Sequence, residues 1–329
     1  MIATSLTSLF GLQYPLVLAP MAGVAGGRLA AAVSNAGALG LVGGGYGNRD
    51  WLQRELALVR AETERPWGVG LITWAADDAL LRYVLEFQPH AVMLSFGDPR
   101  RFAAAIKDAG CKLICQVQDI AGARLAQEAG ADLIVAQGTE GGGHGAVRAT
   151  LPLVPAVVDS VAPLPVIAAG GIADGRGLAA ALMLGAQGAL LGTRFFASTE
   201  ALGSAAIKAR LVEAGGEQTQ RTRVFDIVRG YHWPAGFTGR ALRNRFMARW
   251  DNDEAGLARA LETEQQAFQA AVAADDHDTV MVWASEAVDL IHSTEPAATL
   301  VARICLQAEA QLRNGARLID ETPFALPGE

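Results

Sequence analysis

Between Tyr14 and Phe195 the chain repeats one pattern eight times: a short, almost wholly apolar run, then a longer segment with helical periodicity. The runs are YPLVLAPM, ALGLVGGG, WGVGLITW, AVMLSFG, KLICQVQD, LIVAQGTE, PVIAAGG and GALLGTRF, separated by stretches such as GRLAAAVSNAG, DWLQRELALVRAET and GRGLAAALMLG. Strands that are apolar on both faces must be covered on both faces, and helices between consecutive strands do this by building a parallel sheet. An open, doubly wound sheet obeys the same grammar. Eight repeats, with small residues ending the seventh and eighth runs, favour closure into an α/β (β/α)8 or TIM barrel.

A barrel of this kind takes about 250 residues, and the chain has 329. After Phe195 the alternation stops. Helical stretches are expected at about 201–214, 253–274, 279–292 and 296–315, joined by RTRVFDIVRGYHWPAGFTGRALRNRF, which is rich in Arg, Gly and aromatics. We therefore read 1–214 as the barrel and 215–329 as a helical extension or lid over its mouth, with the last helix positioned to pack back on the barrel.

Composition narrows the partner. With 51% hydrophobic and 19% charged residues the chain is globular, and a net charge of −7 offers no footprint for nucleic acid or an anionic membrane. No apolar run reaches the roughly 18 uninterrupted residues of a membrane span. The N-terminal MIATSLTSLFGLQYP lacks the basic start and long apolar stretch of a signal peptide. Cys111, Cys115 and Cys305 form no metal pattern, and an odd number suits a reducing compartment. The expectation is a cytoplasmic protein acting on a small molecule, with no oligomeric state implied.

Barrel enzymes carry their chemistry at the C-terminal ends of the strands. From Pro165 to Phe195 two apolar runs end in Gly170-Gly171 and Gly192-Thr193, leaving backbone N–H groups free to meet a phosphate. Run one ends in Ala19-Pro20-Met21, small enough with its flexible thioether for a flat ring to lie against the backbone. Run five ends near Gln116 and Gln118, and Gln116 joins the cofactor-binding candidates. Run six ends in AQGTEGGGHGA: Gln137 can donate and accept at a heterocycle edge, and Gly141-Gly142-Gly143 allow close backbone approach. His144 follows on a loop at the mouth, where a titratable ring would meet substrate. Glu140 reads as a brace for that loop, and His90, His232, His277 and His292 as structural or solvated. The glycines match neither a Rossmann nor a Walker fingerprint, no GxSxG or HExxH is present, and no cluster has metal-ligand spacing. A phosphate-anchored organic cofactor remains.

The segments APMAGVAGGRLAAAVSNAGALG at 19–40, AQGTEGGGHGA at 136–146, AAGGIADGRG at 168–177 and LGTRF at 191–195 resemble the nitronate monooxygenases, formerly called 2-nitropropane dioxygenases, which are FMN-dependent barrels. The likeness continues through TRVFDIVRG, GFTGRALRN and VWASEAVDLI, over nearly the whole chain. It implies that Ala19 and Met21 contact the flavin ring, that Gln137 and Gly142 line the cofactor, and that Gly170, Gly171, Gly192 and Thr193 hold its phosphate. It also implies that His144 faces substrate, that Trp283 closes the site, and that Arg194 either helps neutralise the phosphate or forms a structural ion pair. Two departures stand out. Gly70 in WGVGLIT replaces an Asn common in the family, and Gly141 replaces an Ala.

The resemblance implies oxidation of alkyl nitronates or nitroalkanes by FMN and dioxygen to a carbonyl compound and nitrite. Neutral His144 would remove an α-proton, and protonated it would hold the anion. The rival readings are an FMN-dependent NAD(P)H oxidoreductase of the quinone reductase or enoyl-acyl-carrier-protein reductase type, and a non-catalytic barrel that binds a phosphate ligand. An IMP dehydrogenase-like barrel would need a cysteine after strand six, and none is there.

Overall fold

The computed structural model describes residues 2–318. Eight parallel strands form the barrel: β1 (Leu16–Leu18), β2 (Gly40–Gly45), β3 (Trp67–Ile72), β4 (Ala91–Ser95), β5 (Lys112–Val117), β6 (Leu133–Gln137), β8 (Val166–Ala169) and β9 (Ala189–Leu191). Their order is β1-β9-β8-β6-β5-β4-β3-β2, and Leu39 closes the ring by pairing in parallel with Val17. The intervening β7 (Gly143–Gly145) belongs to a second sheet with β10 (Thr219–Thr222) and β11 (Thr238–Leu242), ordered β10-β11-β7 and antiparallel.

The period of two sorts each strand's side chains. Ala91, Met93, Leu133, Val135, Ile167 and Leu190 point into the barrel, where Leu6 and Phe10 of the helix Ser5–Phe10 join them. Val92, Leu94, Ile134, Ala136, Val166 and Ala168 face the surrounding helices instead. This double burial is why the runs lack polar alternation. The helices start where the chain supplies acceptors: Asp77, Asp119 and Asp174 each cap one with a carboxylate, satisfying N–H groups the first turn leaves unpaired.

Beyond the barrel the chain departs from the expected run of helices. Helices form at Ala205–Glu213, Val224–Arg229, Arg245–Trp250, Glu254–Arg259, Leu261–Ala273 and Ala297–Gly315. The helix expected at 279–292 does not form, apart from a 3-10 turn at Glu286–Leu290. There, Trp283 bridges Ala241 and the Ser285 N–H bonds Thr193 Oγ1 at 3.0 Å, so long-range partners set the backbone. A separate apolar cluster of Val224, Phe225, Phe246, Trp250 and Phe268 consolidates this region. Helix Ala297–Gly315 lies against helix Gly175–Met183, with Gln307 Oε1 accepting from the Gly175 N–H at 2.9 Å. The last part of 215–329, beyond residue 318, lies outside the described residues.

Candidate active site

A cavity of about 510 Å³ opens at the C-terminal ends of the barrel strands, within the range of small-molecule sites. Ala19, Met21, Gln116, Gln137, Gly142, His144, Gly170, Gly171, Gly192 and Thr193 all line it, as does Trp283, so the fold brings these candidates from the sequence together.

The glycine ends form a cradle of bare backbone. Gly170 and Gly171 hold φ of +94° and +71°, the left-handed region that glycine enters without strain. None of the N–H groups of Gly171, Gly192 and Thr193 bonds to a described residue. A Cβ on Gly192 would touch Ala19 Cβ and Met21 Sδ at 3.5 Å, so the β1 and β9 ends approach as closely as small residues permit. Three unclaimed donors beside a cavity wide enough for a ring system fit a phosphate-bearing flavin. Arg194 is not part of this cradle. It is buried, with Nη2 on the Ser293 carbonyl at 2.8 Å and on Glu295 at 3.8 Å, and burial lowers its pKa to about 10. It ties residues 293–295 to the barrel, the structural ion-pair alternative of its two expected roles.

The glutamines are arranged differently from the sequence expectation. Gln137 Oε1 accepts from Gln116 Nε2 at 2.8 Å and from Gln118 Nε2 at 3.0 Å, while its own Nε2 donates to the His144 carbonyl at 3.0 Å. Gln137 is thus a bracket between β5, β6 and β7, with one N–H left for the cavity; Gln116 keeps its carbonyl oxygen. The Glu140 carboxylate accepts from the Thr150 N–H and hydroxyl, the bracing anticipated for it.

His144 lies not on a loop but within β7, paired with Gly239 of β11. Its Nε2 sits 2.8 and 2.9 Å from the two oxygens of Asp226, and its ring stacks on Trp233 with centroids 3.6 Å apart and planes 5° from parallel. Burial holds its pKa below the ordinary histidine value, with Arg229 and Arg221 adding to the depression and the Asp226 bond opposing it. The ring is therefore neutral near pH 7, and the carboxylate fixes Nε2 as the protonated nitrogen and leaves Nδ1 with its lone pair. Such a pair can accept a proton at Nδ1 while the carboxylate steadies the imidazolium that forms.

Aromatic residues finish the cavity. Tyr46 follows β2, and its ring stacks on Tyr231 at 3.8 Å; its hydroxyl accepts from Trp233 Nε1 at 3.0 Å. Burial pushes the Tyr46 pKa up to about 12, so it remains a phenol. Trp283 stands 5.1 Å from His144, and Gly239 leaves it room, since a Cβ there would overlap the indole. Gly70 has no such freedom, for a Cβ at that position would overlap the Pro20 ring. The space the family's Asn would enter is filled by the β1 turn. His277, set aside as structural in the sequence, also lines the cavity, with Nε2 on Asp275 at 3.0 Å. Asp226, Arg229, Tyr46 and Trp233 were not singled out by the sequence. The signal for two of them was present in TRVFDIVRG, where Asp226 and Arg229 stand three apart on one helix face.

An eight-stranded barrel with unclaimed N–H groups at the ends of β8 and β9 and a histidine–aspartate pair above them defines a cofactor-using barrel enzyme. Known proteins agree. The profile of the family described as nitronate monooxygenase matches residues 3–81 and 72–307, and the chain belongs to that family of flavin-dependent oxidoreductases. It is 33% identical over 344 residues to the nitronate monooxygenase of Neurospora crassa, covering 91% of this chain and 90% of that one. It is 40% identical over 227 residues to (3aS,4S,5R,7aS)-5-hydroxy-7a-methyl-1-oxo-octahydro-1H-indene-4-carboxyl-CoA dehydrogenase of Mycobacterium tuberculosis, covering 68% of this chain and 64% of that protein. Among solved structures it superposes on FabK from Thermotoga maritima with a TM-score of 0.86 at 30% identity, covering 97% and 100% of the two chains. A nitroalkane oxidase from Streptomyces ansochromogenes gives 0.82 at 30% identity, covering 95% and 100%. Among the described residues no helix is long and apolar enough to cross a membrane.

Proposed function

We propose that the chain is an FMN-dependent enzyme that oxidises alkyl nitronates, and the nitroalkanes that give rise to them, with dioxygen to a carbonyl compound and nitrite. The observation that carries this is the His144–Asp226 pair in the wall of a flavin-sized cavity, since a neutral nitroalkane must lose its α-proton before oxidation. Gly170, Gly171, Gly192 and Thr193 would hold the FMN phosphate, and Ala19 and Met21 would lie against the ring. Gln116 and Gln137 would bond its polar edge, and Gly142 would let residues 284–285 close over it. FMN, when bound, supplies the electron acceptor for the carbon acid and the link to dioxygen. His144 takes the α-proton at Nδ1, Asp226 holds the ring's orientation and steadies the charge, and Trp233 and Trp283 exclude water. Oxygen uptake by the FMN-loaded enzyme with ethylnitronate, accompanied by nitrite release, tests the reading; absence of both removes it.

A second reading has its own support. Tyr46, Phe96 and Trp233 line the cavity, and Trp74 and Phe237 pack behind them, an apolar wall larger than a two-carbon substrate needs; the Mycobacterium relative acts on a bulky acyl-CoA. Dehydrogenation α to a thioester would use the same base and the same flavin. Turnover of a thioester without nitrite production from nitronates would favour it.

A further inference from the structure

Arg229 is the one lysine or arginine among the described residues lining the cavity. It ends the helix Val224–Arg229, three residues after Asp226, so the two side chains leave the same face of that helix. Every other buried arginine in this region is already claimed. Arg240 pairs with Glu286 at 2.7 Å, Arg221 is held by the carbonyls of Thr139, Gly145 and Thr238, and Arg194 by Ser293 and Glu295. Arg229 has no ion pair with a described carboxylate. Both Asp226 oxygens are taken by His144, and Asp275 faces His277.

What holds Arg229 is aromatic. Its guanidinium carbon stands 4.6 Å from the Tyr231 ring centre and 5.7 Å from that of Tyr46, and those two rings are stacked. Such contacts orient the planar fork without neutralising it or using its in-plane N–H donors. A half-buried cation with unspent donors calls for an anion, and the guanidinium fork matches a planar group with two oxygens.

We propose that Arg229 is an anion subsite of this cavity, accepting the two-oxygen end of a nitronate or a carboxylate beside His144. The proposal rests on the cavity being a substrate site, and for the nitronate it deepens the function proposed above. It also divides the labour within the site: His144 is neutral near pH 7 and serves as the base, so the positive charge that holds the anion comes from Arg229. As the α-proton moves to His144 Nδ1, the carbon–hydrogen electron pair becomes the carbon–nitrogen double bond. The negative charge settles on the two nitro oxygens, and the subsite holds it there.

Calorimetric titration of the FMN-loaded enzyme with propionate and with propionamide separates charge from shape. Wild type should bind propionate, Arg229→Gln should weaken it by at least ~10-fold, Arg229→Lys should recover part of the loss, and propionamide should bind all three alike. Equal FMN content in the variants shows that the site is assembled. No propionate binding by wild type, unchanged binding in Arg229→Gln, or equal losses for propionate and propionamide would each overturn the subsite. Nitrite production from ethylnitronate, measured alongside, keeps the two claims apart. Arg229-dependent propionate binding without nitrite retains the subsite and removes nitronate oxidation; nitrite production with Arg229-independent propionate binding does the reverse.

Discussion

Replacing His144 by Asn keeps a polar side chain opposite Asp226 but removes the lone pair that would take a proton. Turnover of neutral nitroethane should fall by about 10² to 10⁴, while preformed ethylnitronate should suffer far less and FMN content should stay near normal. Equal, small losses on both substrates would return the ring to a structural role. The pH profile follows from the same burial. Because desolvation holds the His144 pKa below its ordinary value of about 6.5, the base stays neutral down to that point. The value of kcat/KM for nitroethane should therefore decline with acid only below about pH 6.5, and an acid limb above it would contradict the assignment. His144 was legible in the sequence because three glycines at a strand end precede it. Its partner was not: 82 residues separate Asp226 from it, and the sheet β10-β11-β7, with the helix Val224–Arg229 between β10 and β11, brings their elements together.

At the scale of the element, the cradle proposed to hold the phosphate rests on backbone rather than side chains. Gly171→Asp imposes a side chain at φ +71°, sets its Cβ 3.3 Å from Glu140 Cβ, and places a carboxylate where an anion is to bind. The purified variant should retain little FMN while its far-ultraviolet circular dichroism stays that of the barrel; normal FMN content would move the phosphate elsewhere. These loops could be read from the sequence because an apolar run ending in glycines carries its own instruction. The segment 279–292 could not. TVMVWASEAVDLI is apolar enough for a helix, yet Trp283 is drawn to Ala241 and the Ser285 N–H to Thr193, partners that local periodicity does not reveal. Gln137 shows the same limit in part. Its residue type pointed to the cavity it lines, but the bonds to Gln116, Gln118 and the His144 carbonyl that leave it one free N–H come from partners local sequence does not reveal.

Across the whole molecule, the barrel was legible because eight doubly buried strands write the same signal eight times, and Val17–Leu39 pairing needs only the ring to close. The small antiparallel sheet was hidden because GHG, TQRT and TGRAL carry no strand pattern strong enough to stand alone. Helix Ala297–Gly315 buries Leu300, Val301, Ile304 and Ala308 against the barrel's helices and comes closest at one glycine. A Cβ at Gly175 would run into the backbone of Ile304 and Ala308. Gly175→Val should force helix Ala297–Gly315 outward, costing about 1–3 kcal/mol and lowering the melting temperature, with the helix becoming the first site of limited proteolysis. An unchanged melting temperature would show that the helix accommodates the side chain.

The claim on which the rest depends is that this cavity uses its flavin to oxidise a nitronate. Anaerobic mixing of the FMN-loaded enzyme with ethylnitronate, and separately with NADH, reads it from the flavin's own visible absorbance. The account predicts loss of the oxidised flavin spectrum with the nitronate and its persistence with NADH. Bleaching by NADH with no response to ethylnitronate would contradict it and place the chain among the nicotinamide-dependent reductases.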